Sequence, residues 1–200
     1  MIETTTDSMP GDGRNEGIVL PLFDIVLFPE TRTKIQVDEQ TGNFLKAAMI
    51  ERDDAYAVGL TVKAGTDLFK DPEHALYTTG NLLKILSVIP ADDGFLISAH
   101  AVGRIKAGTI AKRDGRIYAS WHPVPDRSDL DDTVKAELMA GIRKTIHEIS
   151  NRFQGSEHVT RSIDHMESID RIMGFIVPFM PLPLDQKQAL LEIVSTRERY

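Results

Sequence analysis

The stretch with the strongest structural signal runs from Leu82 to Trp121 and reads LLKILSVIPADDGFLISAHAVGRIKAGTIAKRDGRIYASW. It holds two pairs of apolar segments, and a short polar turn ending in Asp-Gly separates the members of each pair. Asp-Gly is typical of tight hairpins because both residues, glycine above all, tolerate the positive φ that such turns require. We therefore predict two hairpins, one joining residues 82–89 to 95–102 and the other joining 105–111 to 117–121.

The residues before these hairpins add further strands and one helix. Short apolar or β-branched runs predict strands over 18–20, 25–28 and 55–62. Between them, residues 39–52 place apolar side chains three and four positions apart, which predicts an amphipathic helix. Several short strands with one inserted helix favour a small barrel or sandwich over residues 17–125.

The hydrophobic period changes after residue 125. The proline-rich run HPVPD at 122–126 ends the sheet pattern, and helical spacing follows. We predict helices from about Asp132, from about Ser162 to Val177, and from about Asp185. Residues 126–200 then form a small antiparallel helical bundle, which makes the fold class α+β. Residues 1–16 are polar and acidic and are predicted to be a disordered leader.

Composition narrows the class of protein. The chain has 200 residues, of which 42% are hydrophobic, and it contains no cysteine. Disulfides, thiol catalysis and zinc-thiolate sites are therefore excluded, and a reducing, cytoplasmic location is expected. No targeting segment is visible at the start, and no apolar run approaches the ~20 residues needed to cross a bilayer.

The distribution of charge argues against nucleic acid as a partner. The formal net charge is −7, and residues 18–125 carry 12 basic against 13 acidic side chains. A nucleic-acid-binding surface is normally basic, and no block of this chain is.

Motifs that would carry chemistry are missing from the sequence. It has no Gly-x-x-x-x-Gly-Lys-Ser/Thr loop for a nucleotide triphosphate, no Gly-x-Ser-x-Gly elbow and no His-Glu-x-x-His pair. His158 and His165 are the nearest approach to a metal-ligand pair, but a helix is predicted only from about Ser162, so they need not share a face. We expect no catalytic residue and no metal site.

Three methionines recur every seven residues, at Met166, Met173 and Met180. Core filling is the favoured interpretation, because the spacing is close to two helical turns. An adaptable binding surface is the alternative, since flexible thioethers can repack against different partners.

Four ordered segments resemble the N-terminal domain of the ATP-dependent Lon protease family. Residues 20–29, LPLFDIVLFP, are similar to its opening motif, and residues 76–80, LYTTG, to the next segment. The hairpin over 93–104 and the segment 175–192 follow in the family's order, so the resemblance covers about residues 18–200. The sequence departs from the family pattern at Phe23, usually Arg, at Glu30, usually Gly, and at Pro178, which we expect to kink the last long helix.

The resemblance implies a PUA-like β-barrel followed by a helical bundle, and a role in recognising unfolded or damaged proteins. In the family this domain passes its substrates to an ATPase ring, and the expected assembly of the parent protein is a homo-hexamer. ATP, magnesium and a Ser-Lys dyad would belong to a downstream part, and no cofactor is expected in this chain. Because the sequence stops inside what would become a continuing helix, we expect it to be the front piece of a longer Lon. A stand-alone protein that binds peptides is the alternative.

Apolar residues next to turns are the candidate substrate contacts. Such residues suit extended, non-polar chains when they cluster on one surface. The candidates are Phe28, Pro29, Tyr77, Ile89 and Pro90, and for each of them the alternative is a buried side chain that fills the barrel. Two other functions remain open: RNA binding, which only the analogy with other PUA-like barrels supports, and a pure assembly role between subunits.

Overall fold

The computed structural model describes residues 15–51, 54–127, 129–150 and 157–199, in which a mixed sheet precedes a set of helices. The strands are β1 (Asn15–Leu22), β2 (Arg32–Val37), β3 (Tyr56–Thr61), β4 (Thr79–Ala91), β5 (Gly94–Arg113) and β6 (Arg116–Pro123). The sheet order is β2-β5-β4-β3-β1-β6, and β6 also pairs with β5, so five strands form a closed circuit of pairings. Only β1 and β3 run parallel to each other. The α+β class is confirmed.

Both predicted hairpins are present. In the second, Arg113 pairs with Arg116 across Asp114 and Gly115, whose φ values of 48° and 78° fit the predicted turn. In the first, Gly94 opens β5 with a φ of 114°, and a Cβ there would lie 2.2 Å from the carbonyl oxygen of Val37. Glycine is therefore required at residue 94 by both conformation and space.

Strand β5 is longer than the sequence predicts. We expected separate strands over 95–102 and 105–111, whereas one strand runs from Gly94 to Arg113. Gly103 and Arg104 stay in the ladder opposite Leu82 and Asn81, and a register shift next to Leu82 absorbs the irregularity. As a result β5 pairs with β2, β4 and β6 in turn, and it links the whole sheet.

The apolar run at residues 25–28 is a loop, so the prediction of a strand there is wrong. Its carbonyl oxygens are bonded by side chains: Thr61 Oγ1 donates to Ile25 at 3.0 Å and Asn81 Nδ2 to Leu27 at 2.7 Å. Burial, not strand pairing, accounts for its apolar composition. By contrast β2, with its alternating polar residues, was not predicted from sequence.

The predicted helix near the N-terminus is confirmed as α1 (Glu39–Glu51), with residue 52 outside the described residues. Asp38 precedes it, and its carboxylate accepts bonds of 2.8 Å from the backbone N–H and the hydroxyl of Thr41. Burial acts to raise the pKa of Asp38, but these hydrogen bonds outweigh it and lower that pKa.

The first described residues belong to the sheet. Residues 1–14 of the predicted leader lie outside the described residues, whereas Asn15 and Glu16, which the prediction also assigned to the leader, pair with Trp121 and Ser120 of β6.

The helices are α2 (Pro72–Ala75), α3 (Asp132–Ser150), α4 (Glu157–Asp164), α5 (Ile169–Ile176), α6 (Leu184–Glu192) and α7 (Thr196–Arg199), with a 3-10 turn at Val177–Phe179. We predicted one helix from Ser162 to Val177, but the chain breaks between α4 and α5. Ser168 caps α5, because its hydroxyl accepts a bond of 3.1 Å from the N–H of Arg171. Pro178 lies in the 3-10 turn that ends α5.

The helices pack in two groups. α3, α4 and α5 share an apolar cluster around Met139, Ile163 and Ile172. Met166 and Met173 contact this cluster, which agrees with core filling, whereas Met180 is 36% exposed. The second group packs on the β1–β2 loop, where Val177 and Leu191 contact Val26 and Phe28. The helices therefore pack on the sheet unit as well as on one another.

Two buried arginines share one carboxylate at the junction of sheet and helices. Arg104 of β5 and Arg199 of α7 are 2% and 5% exposed, and each forms an ion pair with Asp126. The segment between β6 and α3 also lies against α7, because Asp129 accepts hydrogen bonds from Ser195 Oγ and from the N–H of Arg197. These bonds, that of Ser195 above all, lower the pKa of Asp129.

Candidate functional site

The five candidate contacts do not form one surface. Phe28 is fully buried against Val26, Val177 and Leu191, and Pro29 is buried beside it. Phe28 therefore supports the packing of the C-terminal helices and is closed to a partner in this conformation, and the buried Pro29 is closed as well. Val177 and Leu191, which cover Phe28, come about 150 residues later in the chain, so residues next to Phe28 could not reveal its burial.

Tyr77 is half-buried between the β3–β4 connection and α6. Its N–H donates to Thr61 O at 3.0 Å, and the ammonium of Lys63 lies 5.6 Å from the ring centroid. Burial raises the pKa of Tyr77, and the carboxylates of Asp185 and Glu192 on α6 add to the rise. The phenol therefore stays protonated at neutral pH and can offer a ring face and a hydroxyl group.

Ile89 and Pro90 are exposed near the tip of the β4–β5 hairpin. Ile89 is 54% exposed and pairs with Leu96, and Leu86 of the same strand is 40% exposed. The ladder continues to Ala91 and Gly94, so this apolar tip is held by backbone hydrogen bonds on a firm hairpin.

A separate open cleft of about 850 Å³ lies between α1 and the N-terminal ends of β1 and β3. It forms because β1 pairs with β6 only up to Ile18 and with β3 only from Val19 onward. At this point the two parallel strands diverge, and α1 forms the opposite wall. The cleft is lined by Asn15, Glu16, Gly17, Ile18, Phe44, Leu45, Ala47, Ala48, Glu51, Asp54, Ala55, Tyr56, Ala57, Val58, Leu82, Tyr118 and Trp121.

Aromatic rings line this cleft, and two of them carry a guanidinium. Arg113 lies 4.7 Å from the ring centroid of Tyr118, and Arg116 lies 4.8 Å from that of Phe44. Such contacts are attractive and hold both rings in place at the end of the cleft nearest the β5–β6 turn. Trp121 also lines the cleft, and it is the single tryptophan of the chain.

No local sequence pattern predicts this cleft, because its residues come from five elements that are separate in the sequence, α1, β1, β3, β4 and β6. One signal was available: Tyr118 and the single tryptophan, Trp121, stand close together in β6. Large aromatic residues with polar atoms are common where a protein binds a partner.

Within the described residues, no group of three or more histidines, aspartates or glutamates could hold a metal ion. His158 lies in α4, and His165 is exposed just after it. Asp164 instead bonds His147 Nε2 at 2.8 Å. No helix in the described part of the chain has the length and apolar character to span a bilayer.

Comparison with known proteins identifies the family. A family model described as the ATP-dependent protease La (LON) substrate-binding domain matches residues 17–200. The Lon protease of Methanosarcina barkeri (strain Fusaro / DSM 804) is 48% identical over 189 residues, which are 94% of this chain and 24% of that protein. The Lon protease of Clostridium beijerinckii (strain ATCC 51743 / NCIMB 8052) is 24% identical over 188 residues, which are 94% of this chain and 23% of that protein. The chain thus spans about a quarter of the length of these relatives.

Solved structures give the same fold. The N terminal domain of Mycobacterium avium complex Lon protease aligns with a TM-score of 0.66 at 20% identity, over 92% of this chain and 94% of that chain. The Lon N-terminal domain protein from Xanthomonas campestris aligns with a TM-score of 0.60 at 16% identity, again over 92% and 94%. The fold is thus that of a Lon N-terminal domain. The chain belongs to the family of LON substrate-binding domains, and the resemblance drawn from its sequence is confirmed.

Proposed function

We propose that this chain recognises unfolded or damaged polypeptides for a Lon protease and performs no catalysis itself. The observation that carries the proposal is the family match over residues 17–200, since the family is defined by substrate binding. Exposed apolar side chains on a firm hairpin support it, because unfolded chains differ from folded ones in the apolar surface that they present.

We assign the contacts to the part of the predicted set that is accessible. Ile89 and Pro90 at the hairpin tip, with Leu86 beside them, would pack on apolar side chains of the substrate. Tyr77 would add a ring face at a second position. Phe28 keeps a supporting role, because it packs in one apolar cluster with residues of α5 and α6, and Pro29 is buried beside it.

The test compares one protein in two states. A reduced, carboxymethylated α-lactalbumin, which cannot refold, is titrated against the domain and followed by fluorescence anisotropy beside the native form. Binding of the unfolded form alone is expected, and Ile89→Ser should weaken it about tenfold through lost apolar burial. Val134→Ser is the matched control, since Val134 is 38% exposed on α3. Equal binding of both forms, or of neither, would contradict the proposal.

The architecture and assembly of the parent protein belong to the same proposal. The closed circuit of five paired strands supports a small PUA-like barrel over residues 17–125, with residues 126–200 as the helical part. Within a full Lon protease the domain would sit in a cytoplasmic homo-hexamer. The ATP, the magnesium ion and the serine nucleophile would lie in that longer protein. A stand-alone peptide-binding protein is the alternative, and both share the binding activity tested above.

RNA binding is the weaker candidate. Its support is an analogy between small barrels, whereas the net charge of −7 opposes a phosphate backbone. A salt-sensitive mobility shift with a structured RNA would favour it over polypeptide binding.

A further inference from the structure

The cleft between α1 and the diverging strands β1 and β3 is not used by the surfaces assigned above. We propose that it holds a short extended segment of the substrate, with an aromatic or large aliphatic side chain on its floor and a Lys or Arg beside Glu51. This inference rests on the proposed function and adds a second subsite, with its own side-chain preference, to polypeptide binding.

The size and lining of the cleft fit such a segment. Phe44 and Glu51 are seven residues apart on α1, so the wall between them is about 10 Å long. An extended chain advances about 3.3 Å per residue, so about three residues of substrate would lie along this wall. The floor is apolar, because Ile18, Leu45 and Ala57 are buried there. The half-buried residues Phe44, Tyr56 and Tyr118 then provide rings on which an apolar side chain can pack, and the buried Trp121 also lines the cleft.

The charged residues around the cleft determine which charged side chain of the substrate is preferred. Among the described lining residues the charged side chains are the acids Glu16, Glu51 and Asp54, while Arg113 and Arg116 lie on the lining rings of Tyr118 and Phe44. Glu16 is paired with Arg113, and Asp54 with Lys84 at 2.9 Å. Within the part of the chain that the structure describes, no ion pair involves Glu51, which is exposed at the end of α1. A substrate cation beside Glu51 would complete the pattern of one cation for each rim carboxylate.

The same charges argue against two other occupants. The chain enters β1 at Asn15, so residues 1–14 lie next to the cleft in sequence, but they carry three acids against one Arg. A second copy of the chain, with its net charge of −7, is also of the wrong sign. A basic and apolar segment of a separate polypeptide is the occupant that the rim favours.

The single tryptophan allows a direct test, because Trp121 lines this cleft. The probe is the acetylated, amidated peptide GSFLKSG, titrated against the whole chain at low salt. We expect a saturable change in the emission of Trp121. The peptides GSSSKSG, without the apolar pair, and GSFLESG, with the charge reversed, should bind at least tenfold more weakly.

Variants separate the cleft from the rest of the surface. Ala47→Arg places a long cationic side chain on the exposed wall and should abolish the emission change. Asn43→Arg, one turn earlier on α1 and outside the cleft, should leave it intact. Glu51→Gln should weaken GSFLKSG by about threefold, as expected for an exposed ion pair, while Glu39→Gln at the other end of α1 should have no effect.

Each outcome has a distinct meaning. Suppose that carboxymethylated α-lactalbumin binds, that the emission of Trp121 does not change when GSFLKSG is added, and that the Ala47→Arg variant binds α-lactalbumin as tightly as the natural chain. The cleft inference is then overturned and the proposed function stands. If neither α-lactalbumin nor the peptides bind, both fail. If a chain lacking residues 1–14 binds GSFLKSG at least tenfold more tightly than the full chain, the occupant is the chain's own leader and the inference is again overturned.

Discussion

Two regions of this molecule share a local sequence pattern, an apolar residue followed by proline, but differ in burial. Phe28-Pro29 ends the β1–β2 loop, and Ile89-Pro90 lies near the tip of the β4–β5 hairpin. Phe28 is fully buried, whereas Ile89 is 54% exposed. The difference is made by Val177 and Leu191, which cover Phe28, while nothing comparable in the described chain covers the hairpin tip. An apolar residue next to proline therefore marks a candidate contact only after the whole chain has folded.

The largest effect should come from truncating the buried member of this pair. Phe28→Ala would leave a cavity under the C-terminal helices and should lower the free energy of unfolding by about 3–5 kcal/mol. Ile89→Ala removes an exposed side chain and should change it by no more than about 0.5 kcal/mol. Urea denaturation followed by circular dichroism measures both. Similar losses for the two variants would contradict the comparison.

A narrower test concerns how closely α5 approaches the buried loop. A Cβ at Gly174 would lie 1.9 Å from Thr31 Cγ2, so Gly174→Ala should cost about 1–3 kcal/mol by overpacking. The second change, Thr31→Ser, removes that methyl group and keeps the hydroxyl that donates to Phe28 O at 2.6 Å. The double variant should recover most of the lost stability in thermal unfolding, and an additive loss would rule out this contact.

The loop also depends on one buried amide. Asn81 is 1% exposed, and its side chain donates to Leu27 O, so Asn81→Ala should cost about 1–2 kcal/mol. The exposed Asn43 on α1 is the control, because Asn43→Ala breaks no described contact with the loop. Hydrogen exchange of the backbone amides of residues 25–28 should accelerate in the first variant and stay unchanged in the second.

The smallest expected effect is a dependence of stability on pH that comes from the raised pKa of Tyr77. Burial and the acids of α6 raise the pKa of Tyr77 above its ordinary value of 10.0. The unfolded chain therefore loses this proton first as the pH rises, and the stability that Tyr77 contributes is full below pH 10 and is lost through its folded pKa. Ultraviolet absorbance of the phenolate, compared between the natural chain and Tyr77→Phe, gives the folded pKa. A value at or below 10 would contradict the placement of Tyr77 beside α6.

Local rules predicted the parts of the fold that local forces determine. The turn at Asp114-Gly115 needs positive φ at both positions, and the sequence states this requirement within two residues. Helix α1 is likewise readable from the carboxylate of Asp38, which caps it, and from its apolar spacing. Both features depend only on residues a few positions away in the sequence.

The missed parts depend on residues far apart in sequence. The loop at 25–28 imitates a strand, because it is buried by α5 and α6 and not because it pairs with a neighbour. Strand β2 lies at the edge of the sheet and alternates polar and apolar residues only weakly, yet this alternation is enough to form a strand there. The cleft needs five segments to meet, so periodicity within any one of them could not reveal it.

The carboxylate of Asp126 has a mechanical consequence. It is held by guanidinium groups from β5 and from α7, and β5 is bonded in turn to three other strands. A force on α7 would therefore reach β5, whose pairings with β2, β4 and β6 share the load. The hairpin tip and the cleft would then move with α7 as parts of one stiff lever.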